Sequence, residues 1–453
     1  MRALAPVALP MPSRRKFLQQ TLAFSAMLPL RATELLSQQA PALSKSDALS
    51  KSDLSKSDEA LVDEICLSSF RYFWEAASPD TGLVKDRSRA DGLDPRTVGS
   101  IAATGFGLTA LCIAAENHYE KPSKIEQRVL RTLQYFQTRA LGENGFYYHF
   151  VDIHTGGRIW NSEVSSIDTA LLLCGIIACR EYFDDERIRK MADDIYHRVD
   201  FRWMLNGAGT LSHGWKPESG FIRWRWDTYA EHMMLYLLAI GSPNHGIAPQ
   251  AWDAWQRPIY NFFGESYISA EAPLFIHQYA HAWVDFREKE DRFADYFQNS
   301  VRATRAHRKF CLELSHRFAK YSEQLWGITA SDSAHGYVAW GGPPAMGPID
   351  GTVVPAAAAG SLPFLSSECL AVLHNIRENY GKRCWKRYGP VDAFNPNNAW
   401  TNPDVIGINV GIAMLMAANL RSQFVWETFM KAPEIATAMG SIGFKSTGRS
   451  ERL

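Results

Sequence analysis

Apolar residues recur every three to four positions along most of the chain after residue 59, which is the period of an α-helix. This pattern predicts twelve helices, at 59–76, 97–118, 123–139, 163–182, 184–201, 227–240, 251–263, 275–286, 291–318, 366–379, 406–421 and 423–440. No run of alternating apolar and polar positions recurs, so short strands are expected only inside connections such as 145–153.

The connections between the predicted helices differ in length in a regular way. Segments 77–96, 140–162, 202–226 and 319–365 are long and rich in Gly, Trp, Tyr and charged residues, whereas 119–122, 183, 287–290 and 422 are short. If successive helices run up and down, every second connection lies at the same end of the molecule. The long connections then share one end through the tenth helix, although 380–405 breaks the alternation.

Twelve helices make six hairpins, and a closed ring of six hairpins is an all-α (α/α)6 toroid. Its long-loop end is expected to carry the functional site, because functional residues favour loops on a rigid scaffold. The competing architecture is an open array of helical hairpins, but no fixed repeat period supports it.

The two ends of the chain are not predicted to belong to this domain. Segment 13–18 (SRRKFL) and the mildly apolar stretch 21–30 are typical of a twin-arginine export signal, which we assign to 1–32. Residues 33–58 contain three LSKSD copies, which cannot build a core and predict a linker. We therefore expect a globular domain at 59–445, a polar tail at 446–453, and a periplasmic or secreted protein without a stable membrane span after signal removal.

Composition narrows the classes of function. The formal net charge is zero, and no basic block follows the linker, which argues against a nucleic-acid-binding surface. The seven cysteines include no C-x-x-C pair, so no zinc site or disulfide framework is indicated, and we predict no metal and no cofactor. Most of the 14 Trp, 17 Tyr and 24 Phe must belong to the core, but a surplus in the loops is expected of a protein that binds carbohydrate. A monomer is expected.

The most informative segment is 223–238 (RWRWDTYAEHMMLYLL), which passes from an aromatic, cationic loop into an apolar helix. Asp227 is expected to cap this helix by accepting from free backbone N–H groups. Glu231 would then lie one turn into the helix, beside Met234 and Leu235. Loss of water there would raise the pKa of its carboxyl, which suits a general acid at neutral pH. The alternative is a buried, hydrogen-bonded Glu at an ordinary helix start.

A second polar group begins the helix after segment 160–169 (WNSEVSSIDT). Glu163 is placed where the helix dipole favours negative charge. Asp168 comes five residues later, where the helix turns inward, and a buried Asp requires a partner. Two explanations are open. Asp168 bonds a neighbouring helix end or a Ser hydroxyl, or it has a functional role.

Several carboxyl groups and loop aromatics, without a nucleophile elbow, P-loop or zinc-ligand spacing, favour glycoside hydrolysis. That reaction needs a protonated carboxyl for the leaving oxygen and a second carboxylate for water. We predict Glu231 as the general acid, and Asp168 or Asp392 as the group that activates water.

Sugar rings have apolar faces and hydroxyl edges, so the candidate binding residues are aromatic side chains and polar side chains in the loops. The predicted platforms are Trp215, Trp224, Trp226, Tyr337, Trp340 and Trp400, and the predicted polar contacts are Glu163, Arg225, Asp227, His335 and Asn409.

Five segments together resemble the bacterial glycoamylase-like domain of glycoside hydrolase family 144, over 59–444. They are 165–172 (SSIDTALL), 226–231 (WDTYAE), 330–337 (ASDSAHGY), 350–352 (DGT) and 388–395 (YGPVDAFN). The resemblance implies an (α/α)6 barrel and action on β-1,2-linked glucans, with inversion and without metal. It also implies that Glu231 and Asp168 are the first acids to test.

One departure from the family pattern concerns segment 406–411, which reads IGINVG where the family typically has Ile-Gly-Ile-Asp-Gln-Gly. An amide cannot act as a carboxylate base. Asn409 therefore keeps two alternatives open: a catalytically silent glucan-binding protein, and a glucan transglycosylase.

Overall fold

The computed structural model describes residues 54–92 and 94–448. Most of this chain is helical. The helices are Lys56–Glu75 (α1), Ile101–Glu116 (α2), Pro122–Thr138 (α3), Ser166–Tyr182 (α4), Glu186–His197 (α5), Phe201–Leu205 (α6), Met233–Gly241 (α7), Tyr296–Glu313 (α8), Pro355–Ala359 (α9), Ser366–Asn379 (α10), Gly381–Cys384 (α11), Gly407–Ser422 (α12), Phe424–Phe429 (α13) and Pro433–Ile442 (α14), with 3-10 helices at Pro249–Trp252, Leu274–His277, Ala280–Ala282 and Leu314–His316.

Burial divides these helices into an inner and an outer ring. Every residue of α2 from Ile101 to Ala115 is buried, and so is every residue of α4 from Ser166 to Arg180. By contrast, α3 buries one face only, with Ile125, Val129 and Leu133 at helical spacing. The inner elements are α2, α4, α7, the 3-10 pair within 274–282, α9 and α12, and each follows an outer partner in the chain. The fold is therefore the predicted all-α (α/α)6 toroid.

Short antiparallel strands join the starts of the inner helices at one end of the ring. Val98–Ser100, before α2, pairs with Phe150–Asp152, and Arg87–Arg89 pairs with Asp404–Ile406, before α12. Val164–Ser165, before α4, pairs with Gly214–Lys216. All long connections therefore meet at this end of the toroid.

The remaining paired strands are short hairpins, apart from one pair that joins two distant segments of the chain. They are Gly142–Glu143 with Phe146–Tyr147, Gly214–Lys216 with Gly220–Phe221, Ile259–Phe262 with Glu265–Ile268, Lys289–Glu290 with Lys445–Ser446, Ala330–Ser333 with Gly336–Ala339, Trp385–Lys386 with Gly389–Pro390, and Phe394–Asn395 with Trp400–Thr401. The expectation of short strands within 145–153 is confirmed.

The apparent exception at 380–405 comes from a helix that the sequence pattern did not reveal. Helix α9 spans only five residues, Pro355–Ala359, too few for a 3.6-residue period to be recognised. With α9 counted as the inner partner of α8, 380–405 lies at the same end as the other long connections. The predicted alternation therefore holds around the ring.

Four other predicted helices differ from the structure. Segment 251–263 is not a helix: a 3-10 turn ends at Trp252, and a β-hairpin begins at Ile259, just after Pro258. Segment 275–286 forms two 3-10 turns rather than an α-helix. Segment 423–440 is divided before Pro433, which cannot donate a backbone hydrogen bond inside a helix. Helix α7 begins at Met233, six residues after the predicted cap at Asp227.

Helices α2 and α4 approach closely because glycines face each other at their contact. A Cβ on Gly105 would lie 2.2 Å from the Leu171 carbonyl oxygen, and one on Gly175 would lie 2.1 Å from the Gly105 carbonyl oxygen. A Cβ at either position would push the two helices apart, so this close approach depends on both glycines.

The first described helix starts earlier than the predicted domain boundary. Ser55 caps α1, and Asp58 completes a capping box with it, so the end of the LSKSD segment is ordered rather than linker. The predicted export signal, most of the linker and the end of the tail lie outside the described residues. Within 54–92 and 94–448, no helix has the length and apolar character needed to cross a bilayer. All seven cysteines are buried, as expected of small apolar side chains.

Candidate active site

Three nearly buried carboxyl groups mark the starts of inner helices at the long-loop end. Asp168 lies in the first turn of α4, and Glu231 lies two residues before the first residue of α7. Asp392 lies beside the start of α12, through a contact with Asn409. Their exposures are 4% for Asp168, 2% for Glu231 and 4% for Asp392, so each has lost most of its contact with water.

Asp168 belongs to a compact polar cluster. The Ser165 hydroxyl accepts from the Asp168 backbone N–H at 3.1 Å and donates to the Asp168 carboxylate, which caps α4. His149 Nδ1 lies 3.2 Å from Glu163 Oε1 and 3.5 Å from Asp168 Oδ2. Asp168 thus has a Ser hydroxyl as a partner, which was one of the alternatives left open by the sequence, and His149 is a second partner. Glu163 precedes the helix instead of lying in its first turn, so its proposed interaction with the dipole is weaker than predicted.

The same cluster is where a cation could be held. His149, Glu163 and Asp168 each offer one ligand atom, and these atoms lie within 4.8 Å of one another. A second such group, Asp193, His197 and Glu434, lies beside Arg180, which already pairs with Asp193 and Glu434. The prediction of a metal-independent protein stays a prediction.

Trp226 connects the starts of α4 and α7. Its indole N–H donates to the Ser166 hydroxyl at 2.9 Å, and its ring stacks on His213 at 3.9 Å between centroids. Because Trp226 is only 3% exposed, it offers almost no free face to a sugar. Its prediction as a platform is therefore wrong, and its role is to hold two carboxyl-bearing helix starts together.

Glu231 lies in a turn before α7, so its predicted place inside the helix is wrong, whereas its predicted burial is confirmed. Its neighbour His232 is fully buried, and neither ring nitrogen has a hydrogen-bond partner among the described residues. Burial lowers the pKa of His232 to about 3, and the positive charge of Arg257 adds to this effect. Since His232 is neutral near pH 7, Glu231 alone determines the net charge of these two neighbouring residues.

Asp392 accepts hydrogen bonds from several N–H donors. Asn409 Nδ2 donates to Asp392 Oδ1 at 2.7 Å, and the Asp332 backbone N–H donates to Oδ2 at 2.8 Å. Asn402 Nδ2 reaches both acids, at 3.2 Å from Asp332 Oδ2 and 3.4 Å from Asp392 Oδ2. The two acids therefore form one hydrogen-bonded unit.

The charge of this unit is partly balanced by Arg87. Its Nη1 lies 2.8 Å from both oxygens of Asp332, and its Nε lies 3.0 Å from Asp86. Burial alone would lower the pKa of Arg87, but the two carboxylates raise it, so the guanidinium stays charged. Burial, and then the charge of Asp332, raise the pKa of Asp392 to about 7 against the opposing hydrogen bonds. Asp392 can therefore gain or lose a proton near neutral pH.

Although residue 409 is an amide, a carboxyl group still lies beside the start of α12, because Asn409 contacts Asp392. Its amide donates to Asp392 and, at 3.1 Å, to the Ala330 carbonyl oxygen, and its own oxygen lies 3.5 Å from the Tyr279 hydroxyl. A carboxylate at position 409 could not donate to Asp392 unless it carried a proton. The amide at 409 is thus matched to an acid at 392.

The predicted aromatic platforms do not share one environment. Trp215, Trp224, Tyr337 and Trp400 are partly exposed. Trp340 is only 5% exposed and donates to the Ser331 hydroxyl at 2.8 Å, so its prediction as a binding surface is wrong for the same reason as that of Trp226.

Three of the predicted polar contacts have structural partners or positions that the sequence did not indicate. Arg225 donates to the Leu205 carbonyl at 2.6 Å and to the Thr210 hydroxyl at 3.1 Å, so it ties two connections together. Asp227 is exposed and does not cap α7, whose first residue is Met233. His335 is exposed at the turn between strands Ala330–Ser333 and Gly336–Ala339.

Sequence reasoning missed His149, Arg87 and Asn402, and it quoted Asp332 without assigning it a role. All four lie in the long connections, and this position was the signal that could have identified them. The partner of Arg87 is far away in the chain, since 245 residues separate it from Asp332.

Comparison with known proteins agrees with this architecture. Residues 223–433 match the Glycoamylase family model, described as putative glucoamylase. A putative glucoamylase from Bacteroides uniformis superimposes with a TM-score of 0.81 at 26% identity, covering 87% of this chain and 99% of the other. Residues 223–433 are therefore similar to a glycoamylase-like domain, and the predicted resemblance is confirmed.

Two further relatives carry more specific names. An endo-β-1,2-glucanase from Chitinophaga pinensis, solved with sophorotriose and glucose, has a TM-score of 0.79 at 25% identity, covering 87% of this chain and 99% of the other. An exo β-1,2-glucooligosaccharide sophorohydrolase from Parabacteroides distasonis is 27% identical in an alignment that covers 88% of this chain. The chain spans 60% of the length of that curated relative.

Proposed function

We propose that this protein is a glycoside hydrolase that cleaves β-1,2-linked glucan with carboxyl groups as acid and base. The observation that carries the proposal is the convergence of Asp168, Glu231 and Asp392 at the starts of inner helices, at one end of the toroid. Similarity to proteins named for β-1,2-glucan or its oligosaccharides, over most of the chain, supports this choice of substrate.

In the proposed reaction, the protonated Glu231 carboxyl donates its proton to the glycosidic oxygen as the bond to the anomeric carbon breaks. Asp392 takes a proton from water, whose oxygen forms the new bond to that carbon. Attack by water from the opposite face inverts the anomeric configuration. The pKa of Asp392, raised to about 7, suits this residue to act as the base, because a base works best when its pKa is near the working pH.

The cluster around Asp168 has a different role in this proposal. His149 and Glu163 offer a donor and an acceptor beside the Asp168 carboxylate. Such a set suits the hydroxyl groups of a sugar, since each hydroxyl both donates and accepts. Asp168 then orients the substrate while Glu231 and Asp392 transfer protons.

The test is incubation of the purified full-length chain with linear β-1,2-glucan, β-1,3-glucan and cellulose, with products resolved by chain length. Shorter products from β-1,2-glucan alone support the proposal, and their sizes separate endo from exo action. Longer products indicate a transglycosylase. Binding without any product indicates the silent glucan-binding protein. If the glucan is neither bound nor cleaved, this substrate is excluded.

Glu231→Gln tests the acid. Removal of a general acid lowers turnover by about 10²–10⁴-fold. Glu427→Gln, an exposed glutamate on α13, is the matched control and should keep full turnover. Near-normal turnover in folded Glu231→Gln would exclude Glu231 as the acid. The anomer released first, followed by NMR, tests inversion.

We also propose export by the twin-arginine route, supported by segment 13–18. Replacing Arg14 and Arg15 by Lys should retain the full-length precursor inside the cell, whereas unchanged export would exclude this route.

A further inference from the structure

Trp160 occupies a backbone conformation that is unfavourable for an aromatic residue. The Ser162 N–H donates to the Ile159 carbonyl at 3.0 Å, which closes a turn with Trp160 and Asn161 at its centre. Both central residues have positive φ, +57° at Trp160 and +47° at Asn161. These signs are those of a type I′ turn, which favours Asn and Gly. A bulky side chain at positive φ is strained.

Burial does not compensate for this strain. Trp160 is 54% exposed, although its indole contacts the Phe150 ring at 5.2 Å between centroids. A Trp that is both strained and largely in water contributes little to folding. Such a residue points to a role outside stability.

The turn that carries Trp160 is held firmly on both sides. Arg158 Nε donates to the Ser162 carbonyl at 2.6 Å, and Arg158 Nη2 lies 3.0 Å from Glu218 Oε2 on the neighbouring hairpin. The Ile159 N–H donates to the Phe150 carbonyl at 3.0 Å. The indole is therefore presented to solvent on a preorganised support.

A chain of ring contacts, buried at His149 and Phe150, leads from this exposed indole to the carboxyl cluster. His149 stacks on Phe150 at 3.7 Å with an interplanar angle of 18°, and Phe150 contacts Trp160. At the inner end, His149 Nδ1 contacts Glu163 and Asp168. Trp160 is the exposed end of this chain of contacts, which starts at the carboxyl cluster.

We propose that Trp160 is the platform of a rim subsite that binds a glucosyl unit beyond those held at the carboxyl cluster. The apolar face of a pyranose ring packs on the indole, and the exposed Asn161 amide lies beside it to contact hydroxyl groups. This inference rests on the proposed function. It predicts that the affinity of the protein depends on chain length, because only longer chains reach the rim.

The experiment uses the full chain with Glu231→Gln, so that oligosaccharides are not cleaved, and measures the binding of linear β-1,2-gluco-oligosaccharides by calorimetry. Adding Trp160→Asn should weaken the binding of long chains by about tenfold, equivalent to about 55 Å² of apolar surface removed from water. The disaccharide should bind unchanged, and Trp160→Phe should restore part of the affinity. Because Asn suits the first central position of the turn, Trp160→Asn should also raise the melting temperature.

Phe293→Ala is the control, since Phe293 is 41% exposed beneath Arg257 in another sector of the ring and should not affect glucan binding. Equal affinities of Trp160→Asn and its parent at every length overturn the subsite. An equal loss for the disaccharide and the long chains overturns its position at the rim. If the parent binds no β-1,2-linked chain, the proposed function fails and the subsite falls with it.

Discussion

Replacing Asp392 by Asn should change the pH dependence of stability in a direction that the structure defines. Asp392 is 4% exposed and lies beside Asp332, and burial and then that neighbouring charge raise its pKa from 3.8 to about 7. The folded protein therefore binds this proton more tightly than the unfolded chain does. Between about pH 4 and pH 7, stability falls as the pH rises, because the folded state holds more protons.

The magnitude follows from the two proton affinities. Each tenfold difference in proton affinity corresponds to about 1.4 kcal/mol. From pH 5 to pH 9, loss of the Asp392 proton should remove about 3 kcal/mol from the free energy of unfolding, nearly all of it below pH 8. An amide at this position cannot titrate, so Asp392→Asn should lack this decline. The new amide also meets the N–H donors of Asp332 and Asn402, which adds a destabilisation that does not depend on pH.

Urea unfolding at pH 5 and pH 9, followed by tryptophan fluorescence and far-UV circular dichroism, measures this difference. The stability difference between Asp392→Asn and the unmodified protein should change by about 3 kcal/mol in favour of the variant on going to pH 9. Asp184→Asn, at a fully exposed carboxyl, is the control and should show no such change. Parallel pH profiles for Asp392→Asn and the unmodified protein would refute the argument that burial holds a proton on Asp392.

Three other outcomes are expected. Asn409→Asp should lose more stability than the unmodified protein between pH 6 and pH 9 in thermal melts, because two carboxylates about 4 Å apart repel by about 4 kcal/mol at an effective dielectric constant of 20. An unchanged profile would mean that residue 409 does not face Asp392. Gly105→Ala should destabilise the protein by about 1–3 kcal/mol or more through its clash with α4, whereas Gly440→Ala, with no atom within 4 Å, should be neutral or stabilising in the same urea titration. Treatment with EDTA should leave the hydrolysis of β-1,2-glucan unchanged, and a loss that is restored by a divalent ion would instead assign a metal to the cluster around His149.

The ring of helices could be predicted because its signals are local. The continuous apolar run after Asp168 and the Ser165 cap define α4 within a few residues of sequence, and the long polar connections indicated which end carries the site. Burial of Glu231 followed from the apolar residues after it. The five-residue helix α9 and the hairpin around Phe263 were missed, because neither is long enough for its period to be distinguished.

The protonation of the site is decided by contacts that no local pattern contains. Arg87 meets Asp332 across 245 residues, and Asn409 meets Asp392 only where α12 closes the ring against the connection before it. From the sequence, Asn409 was a missing acid, whereas the structure makes it a donor to an acid that is present. Helical periodicity sets which face of each helix is buried, but the pKa of a carboxyl depends on the water excluded and the charges brought near it by every neighbouring element. Those neighbours are determined by the closed tertiary structure.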